Sequence, residues 1–253
     1  MHRFYLPSIQ TELSEIILKG DEARHAINVL RISPGDKIIL LNGKGLEVLC
    51  ECMRVDKKSL TARVINKTLK PEPENKTTLI LAIPKGRLIE DIIEKSVELG
   101  VSRIIPVKTQ RTIPSFDQKE IEKRRLRWQE IAISAIKQCG QPFLPEIDSL
   151  TEFSSLIAKK EHYELNLVCA LIGERKHPRF YFNEFRKTFN RNPQSVALWI
   201  GPEGDFTPQE IEQIISIGAK PITLGQLVLR VETAAICILS TVNYELRWTS
   251  ETY

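Results

Sequence analysis

Two hydrophobic rhythms run along this chain. Up to about residue 70 the apolar residues fall in short β-type runs, at 15–18, 37–41, 47–55 and 59–64. Turn-forming sequences lie between or beside them, Ser33-Pro34-Gly35-Asp36 and Asn42-Gly43-Lys44-Gly45. Several short strands with Gly/Pro turns predict a small β-barrel. One helix interrupts them: Asp21 is the expected N-cap, and Ala23, Ala26, Ile27 and Leu30 recur at helical spacing.

The stretch 70–76, Lys-Pro-Glu-Pro-Glu-Asn-Lys, is polar and proline-bearing and reads as a linker. It divides the chain into 1–72 and 73–253. Beyond it apolar strands alternate with helices. Strands are expected at 78–83, 103–108, 165–171, 195–200 and 221–224. Helices are expected at 88–99 (stopped by Gly100), 119–139, 208–217 and from about Leu229 to Arg247. Near-continuous apolar strands separated by helices predict an α/β domain with a parallel sheet covered on both faces.

Composition adds limits. Of the 253 residues 42% are hydrophobic and 27% charged, the balance of a globular protein with a sizeable core. The N-terminal residues carry no apolar secretory run, and the most apolar C-terminal stretch, 227–242, is broken by Arg230 and Glu232. No membrane span is expected. The five cysteines (Cys50, Cys52, Cys139, Cys169, Cys237) read as reduced, buried thiols of a cytoplasmic protein. The four histidines are scattered and no Cys/His set has zinc spacing, so no metal site is expected.

A formal net charge of +4 does not itself point to nucleic acid, but basic residues cluster twice. One cluster is Arg24-His25 with Arg31. The other is 119–127, with five basic residues against two acidic ones, a pattern that a solvated helix face also produces.

In open parallel sheets ligands gather in the loops at the carboxyl ends of strands. Three such loops stand out. Ile172-Gly173-Glu174-Arg175 follows the 165–171 strand, and Gly201-Pro202-Glu203-Gly204-Asp205-Phe206 follows the 195–200 strand. In the second loop two glycines permit close ligand approach, and Thr207-Pro208 has the form of a helix start. The third loop, 224–234, places Arg230, Glu232 and Thr233 at the head of a strongly apolar helix. Charged groups there must pair with one another or face a site. Neither a phosphate loop, nor Gly-x-Gly-x-x-Gly, nor Gly-x-Ser-x-Gly occurs, which disfavours ordinary nucleotide hydrolases, dehydrogenases and hydrolases of the elbow type.

An ordered set of segments carries a resemblance. It comprises Met1-His2-Arg3-Phe4-Tyr5, His25-Ala26-Ile27-Asn28-Val29-Leu30-Arg31, Pro84-Lys85-Gly86, Ile93-Glu94-Lys95 and Glu98-Leu99-Gly100. Ile200-Gly201-Pro202-Glu203-Gly204 and Leu229-Arg230-Val231-Glu232-Thr233-Ala234 complete it. With these the chain resembles, over nearly its whole length, the SPOUT superfamily of methyltransferases, and within it the family that methylates N3 of a uridine in 16S ribosomal RNA. The resemblance implies a PUA-like RNA-binding β-barrel at 1–72 and a trefoil-knotted methyltransferase domain at 73–253. It also implies a homodimer acting on 16S ribosomal RNA in the small ribosomal subunit.

S-adenosyl-L-methionine is the implied cofactor. Its cradle would be Leu171, Ile172, Ile200, Gly201, Pro202, Glu203, Gly204, Leu224, Gly225, Leu227 and Leu229. Arg230, Glu232 and Thr233 would be catalytic, and Arg3, Arg24, His25 and Arg31 would bind RNA. The chain departs from the family pattern at Asp205 (commonly glycine), Val231 (often threonine), Lys137 (usually glutamate) and Gln141 (usually arginine). Action on another RNA base or on a ribose, or a non-catalytic role in ribosome assembly, are the alternatives.

Overall fold

The computed structural model describes residues 1–9, 14–112 and 117–247. The chain divides into two compact units, Met1–Glu72 with Ile133–Leu144, and Pro73–Ala132 with Pro145–Tyr253. Residues 133–144 therefore go with the first unit rather than with the stretch that surrounds them in sequence.

The first unit is built on β1 (His2–Tyr5), β2 (Glu15–Leu18), α1 (Gly20–Arg24), β3 (Lys37–Leu41), β4 (Leu46–Val55) and β5 (Leu60–Leu69). The five strands form one sheet in the order β1-β3-β4-β5-β2. Only the β1–β3 pair is parallel. Alternate residues of β4 are buried, as a half-buried strand requires. Val48, Cys50 and Cys52 thus meet Phe4, Leu18, Ile38, Leu40, Leu60 and Ala62 in one core, closed by Ala23 and Ala26.

Two features of α1 correct the sequence expectation. The chain enters through Gly20 (φ 66) with Lys19 as N-cap, so Asp21 sits in the first turn, where its carboxylate pairs with Arg24 instead of capping. The helix also continues as a π-helical turn over His25–Val29.

The segment 133–144 is bound into this unit by backbone and charge. Gly45 donates to the Pro142 carbonyl at 3.0 Å and Leu144 to the Gly43 carbonyl at 2.9 Å. A Cβ at Gly45 would lie 2.7 Å from the Phe143 ring, so the Asn-Gly-Lys-Gly turn needs glycine for close approach as well as for its positive φ. Lys137 Nζ pairs with Glu22 Oε1 at 2.7 Å.

The second unit alternates strands and helices: β6 (Lys76–Ala82), α2 (Leu88–Glu98), β7 (Arg103–Lys108), α3 (Gln118–Cys139), β8 (Glu146–Ile147), β9 (Thr151–Glu152) and α4 (Phe153–Lys159). Then follow β10 (Leu165–Cys169), α5 (Pro178–Phe189), β11 (Ser195–Ile200), α6 (Pro208–Ser216), β12 (Lys220–Ile222) and α7 (Val231–Arg247). The last residues of α3, from Ile133, belong to the first unit.

The strands form one sheet in the order β12-β10-β11-β6-β7-β8, with β9 also on β7, and every pair is parallel. On one side Ile80, Val107, Val168, Ala197 and Trp199 pack with Phe153 and Leu156 of α4 and with Ile211 and Ile214 of α6. α2 and α7 pack against each other, and α7 against β11.

The thiols are less uniformly buried than the apolar runs suggest. Cys50 and Cys52 are buried, Cys169 and Cys237 half-buried, and Cys139 exposed near the end of α3. No group of His, Cys, Asp and Glu among the described residues is arranged to hold a metal ion. No described helix is long and apolar enough to cross a membrane.

Candidate active site

Four neighbouring strands, β12, β10, β11 and β6, run parallel, so their carboxyl ends open on one edge of the sheet. The loops that leave them enclose a cavity of about 880 Å³, inside the roughly 300–1,000 Å³ range of small-molecule sites. Lys85 and Leu88 follow β6. Cys169 ends β10, and Ala170, Leu171 and Arg175 follow it. Ile200 ends β11, and Gly201, Pro202, Glu203 and Asp205 follow it, while residues 222–232 and Ala234 lead from β12 into α7.

The loop after β11 is stitched to both neighbours. Its Pro202 carbonyl accepts the Asp205 amide at 2.8 Å, closing a turn. Glu203 Oε1 accepts the backbone amide of Lys85 at 2.8 Å. Asp205, in the left-handed region at φ 61, accepts the Leu171 amide on Oδ2 at 3.0 Å and the Phe206 amide on Oδ1 at 2.8 Å. Aspartate tolerates that conformation better than most residues. A Cβ at Gly201 would lie 2.9 Å from Asp205 Oδ1 and from the Phe206 nitrogen, so only glycine fits there.

α6 then starts with a full capping box. Thr207 Oγ1 accepts the Glu210 amide at 3.3 Å and Glu210 Oε2 accepts the Thr207 amide at 2.8 Å, with Pro208 in the first turn.

Beyond β12, Thr223 Oγ1 donates to the Gly225 carbonyl at 2.9 Å, and Gly225 adopts φ 134. Leu227 and Val228 follow, 80% and 74% exposed, an apolar rim held out in solvent. Arg230 and Glu232 both line the cavity at the head of α7. Among the described residues no ion pair or hydrogen bond joins their side chains, so the structural pairing that would have explained them is absent. Arg175 also faces the cavity, its Nη1 on the Ala170 carbonyl at 2.9 Å. Removal from water pushes the Cys169 thiol up to about 12, with the Asp205 carboxylate and Cys237 adding to the effect. A thiol so raised keeps its proton at neutral pH, and Cys169 forms part of the cavity wall.

Of the residues expected from sequence, the cavity brings together Leu171, Ile200, Gly201, Pro202, Glu203, Leu224, Gly225, Leu227, Leu229, Arg230 and Glu232. Ile172, Gly204 and Thr233 lie outside its lining. Lys85, Leu88, Cys169 and Arg175 line it without having been expected there. Arg175 and Lys85 stand in segments already singled out, and their place at strand ends was the available signal.

The four expected RNA-binding residues lie in the first unit. Arg24, His25 and Arg31 are exposed, Arg31 at φ 54, and the His25 ring meets Phe4 edge-on with centroids 6.4 Å apart. Arg3 is half-buried and engaged. Its Nη1 donates to the carbonyls of Gln138 at 3.2 Å and Lys137 at 3.4 Å, covering open acceptors at the end of α3. A Cβ at Gly140 would lie 2.8 Å from its Nη2.

A parallel sheet with a loop-built cavity at its carboxyl edge, alongside a small β unit, defines a class that known proteins share. The family model described as RNA methyltransferase domain matches residues 70–243, and that described as RNA methyltransferase PUA domain matches residues 18–65. The chain belongs to this RNA methyltransferase family. It is 29% identical to ribosomal RNA small subunit methyltransferase E of Bacillus subtilis, over 97% of each chain. The structure of ribosomal RNA small subunit methyltransferase E from Neisseria gonorrhoeae bound to S-adenosylmethionine is similar, with a TM-score of 0.82 and 30% identity over 96% of each chain. A Legionella pneumophila protein in complex with the same cofactor gives a TM-score of 0.84 and 32% identity, again over 96% of each chain.

Proposed function

We propose that the protein transfers the methyl group of S-adenosylmethionine to N3 of a uridine in 16S ribosomal RNA of the small ribosomal subunit. The observation that carries this reading is the cavity, whose walls are the loops of β10, β11 and β12 and whose lining includes Arg230 and Glu232. The similarity to solved structures that hold S-adenosylmethionine supports that cofactor.

The lining suits such a ligand. Gly201 keeps the backbone free of a Cβ, Leu88, Ile200 and Ile222 supply apolar surface, and Glu203 and Asp205 fix the wall by binding backbone amides. The cofactor supplies a methyl group activated on a sulfonium. The chain must hold a uracil nitrogen in line with it, and such positioning contributes roughly 7–11 kcal/mol.

N3 of uridine is an imide that keeps its proton at neutral pH. Transfer forms the N3–CH3 bond, breaks the S–CH3 bond and releases the N3 proton. Glu232 takes that proton or orients Arg230, and Arg230 stabilises negative charge developing on the uracil carbonyls. N3 lies on the pairing edge, so the base must be unpaired or flipped out before it enters the cavity. Thr233 completes the assignment on the resemblance alone, since it is exposed and off the lining.

The domain roles are part of the same proposal: 1–72 grips RNA, with Arg3, Arg24, His25 and Arg31 on phosphates, and 73–253 carries out transfer. So are a trefoil knot in the loops around the cavity, a homodimer whose partner chain completes the RNA site, and action in the cytoplasm.

The test is methyl transfer from labelled S-adenosylmethionine to small ribosomal subunits that lack the mark, followed by nucleoside analysis. 3-Methyluridine is the expected product. Label in another nucleoside would redirect the target, and a protein that binds no cofactor would be the assembly factor instead.

A further inference from the structure

The loop 109–112 leaves β7 and contributes nothing to the cavity lining, yet it holds the cavity's central wall from behind. The guanidinium of Arg111 donates to the carbonyl of Gly204 and, at 3.4 Å, to that of Phe206. The neighbouring Gln110 amide donates at 2.9 Å to Oε1 of Glu210, whose Oε2 accepts the Thr207 amide. Glu210 is only 2% exposed. Gly204 lies close against the same arginine, a Cβ there falling 3.3 Å from Arg111 Cδ.

The wall loop is therefore held in alternation. The side chains of Glu203 and Asp205 reach the amides of Lys85 and Leu171, both of which line the cavity. The carbonyls of Gly204 and Phe206, between and after them, are taken by Arg111. A peptide plane whose oxygen is bound to a cation does not turn freely, so the Gly204–Asp205 and Phe206–Thr207 peptides are fixed together with the carboxylates beside them.

We propose that Arg111 is a positioning residue for methyl transfer, shaping the Gly201–Phe206 wall for the cofactor without touching cofactor or RNA. The proposal rests on the reading of the cavity as an S-adenosylmethionine site. Charge-assisted bonds to backbone carbonyls are what Arg111 supplies, so a neutral side chain of similar length should not replace them.

The experiment is calorimetric titration of S-adenosylmethionine into the wild-type protein, Arg111→Gln and Arg111→Lys, well below each protein's melting temperature. Kinetics with small ribosomal subunits at saturating cofactor run in parallel. Arg111→Gln should weaken cofactor binding roughly tenfold while KM for RNA stays within about twofold. Arg111→Lys, which can still bind one carbonyl, should recover most of the affinity. A folded Arg111→Gln protein with wild-type cofactor affinity overturns the proposal. So does a loss spread equally over cofactor and RNA, which is what mere destabilisation gives. A wild-type protein that binds no S-adenosylmethionine overturns the reading of the cavity itself, a result distinct from equal affinities.

Discussion

Asp205 reaches from the loop after β11 to the loop after β10, where its Oδ2 accepts the amide of Leu171 at 3.0 Å. The backbone at 205 has φ 61, a region that glycine enters freely. Here aspartate accepts the same backbone conformation and adds a tie between two walls of the cavity.

Replacing Asp205 therefore separates conformation from cross-link. Asp205→Ala loses both accepted amide bonds and places an alanine in the left-handed region, a combined cost of about 2 kcal/mol in urea unfolding. Asp205→Gly loses the same bonds without the conformational penalty and should cost about 1 kcal/mol less. Equal stability of the two variants would show that the backbone at 205 is unstrained by a side chain.

Arg230 and Glu232 should act on the rate of transfer. Arg230→Ala is expected to lower kcat by about two orders of magnitude, as loss of a charge-stabilising donor does, with cofactor affinity changed little. Glu232→Gln should lower kcat about a hundredfold if it removes the proton. Single-turnover rates at saturating cofactor and RNA measure both. A Glu232→Gln protein with the wild-type rate leaves Glu232 no part as the base.

The pair Lys137–Glu22 offers a test inside the first unit. Nζ and Oε1 are 2.7 Å apart, both side chains are mostly buried, and Glu22 Oε2 has no partner among the described residues. Lys137→Glu should destabilise this protein by about 2 kcal/mol because it opposes two carboxylates. The exchange Glu22→Lys with Lys137→Glu should return most of that. Additive losses in the double variant would mean the pair is not coupled.

Acid stability should depend on Glu164. Its carboxylate takes two bonds of 2.7 Å from Arg191 and one of 2.7 Å from the Gln194 amide. Arg191 first, then the Gln194 amide, lower it from the ordinary 4.5 to about 2. A depressed carboxyl contributes stability above its unfolded value and loses it as pH falls through the folded one. Between pH 4.5 and about 2 the wild-type unfolding free energy should fall more steeply than that of Glu164→Gln. Parallel curves would show that the ion pair is not what lowers Glu164.

Much of this architecture could be read in the sequence, for physical reasons that also mark the limits. The strands of the parallel sheet are buried on both faces, so they stand out as near-continuous apolar runs, and β7 and β11 fall at 103–108 and 195–200 as expected. Thr207-Pro208 announced α6 because capping is a local device. The two-residue strands β8 and β9 are too short for any period to register. β1 pairs in parallel with β3, a contact that no neighbouring turn signals. The expected elements do not include α5, although Phe182 and Phe185 give it a buried face among polar neighbours.

In the site, glycines and prolines drew attention to the right loops. Arg111 left no such trace, since a guanidinium bound to carbonyls 93 and 95 positions away imposes no pattern on the residues around either end. Arg3 was legible as a basic residue but not as one committed to the end of α3.

The cavity takes its walls from residues as far apart as Lys85 and Ala234. During synthesis the β6 loop is made long before the wall between β12 and α7. A chain stopping short of Thr223 has the β10 and β11 loops but none of the lining that Thr223 to Glu232 and Ala234 supply. Cofactor binding thus waits for the segment from Thr223 to Ala234, and a fragment ending at Ile222 should not bind cofactor however well its strands pair.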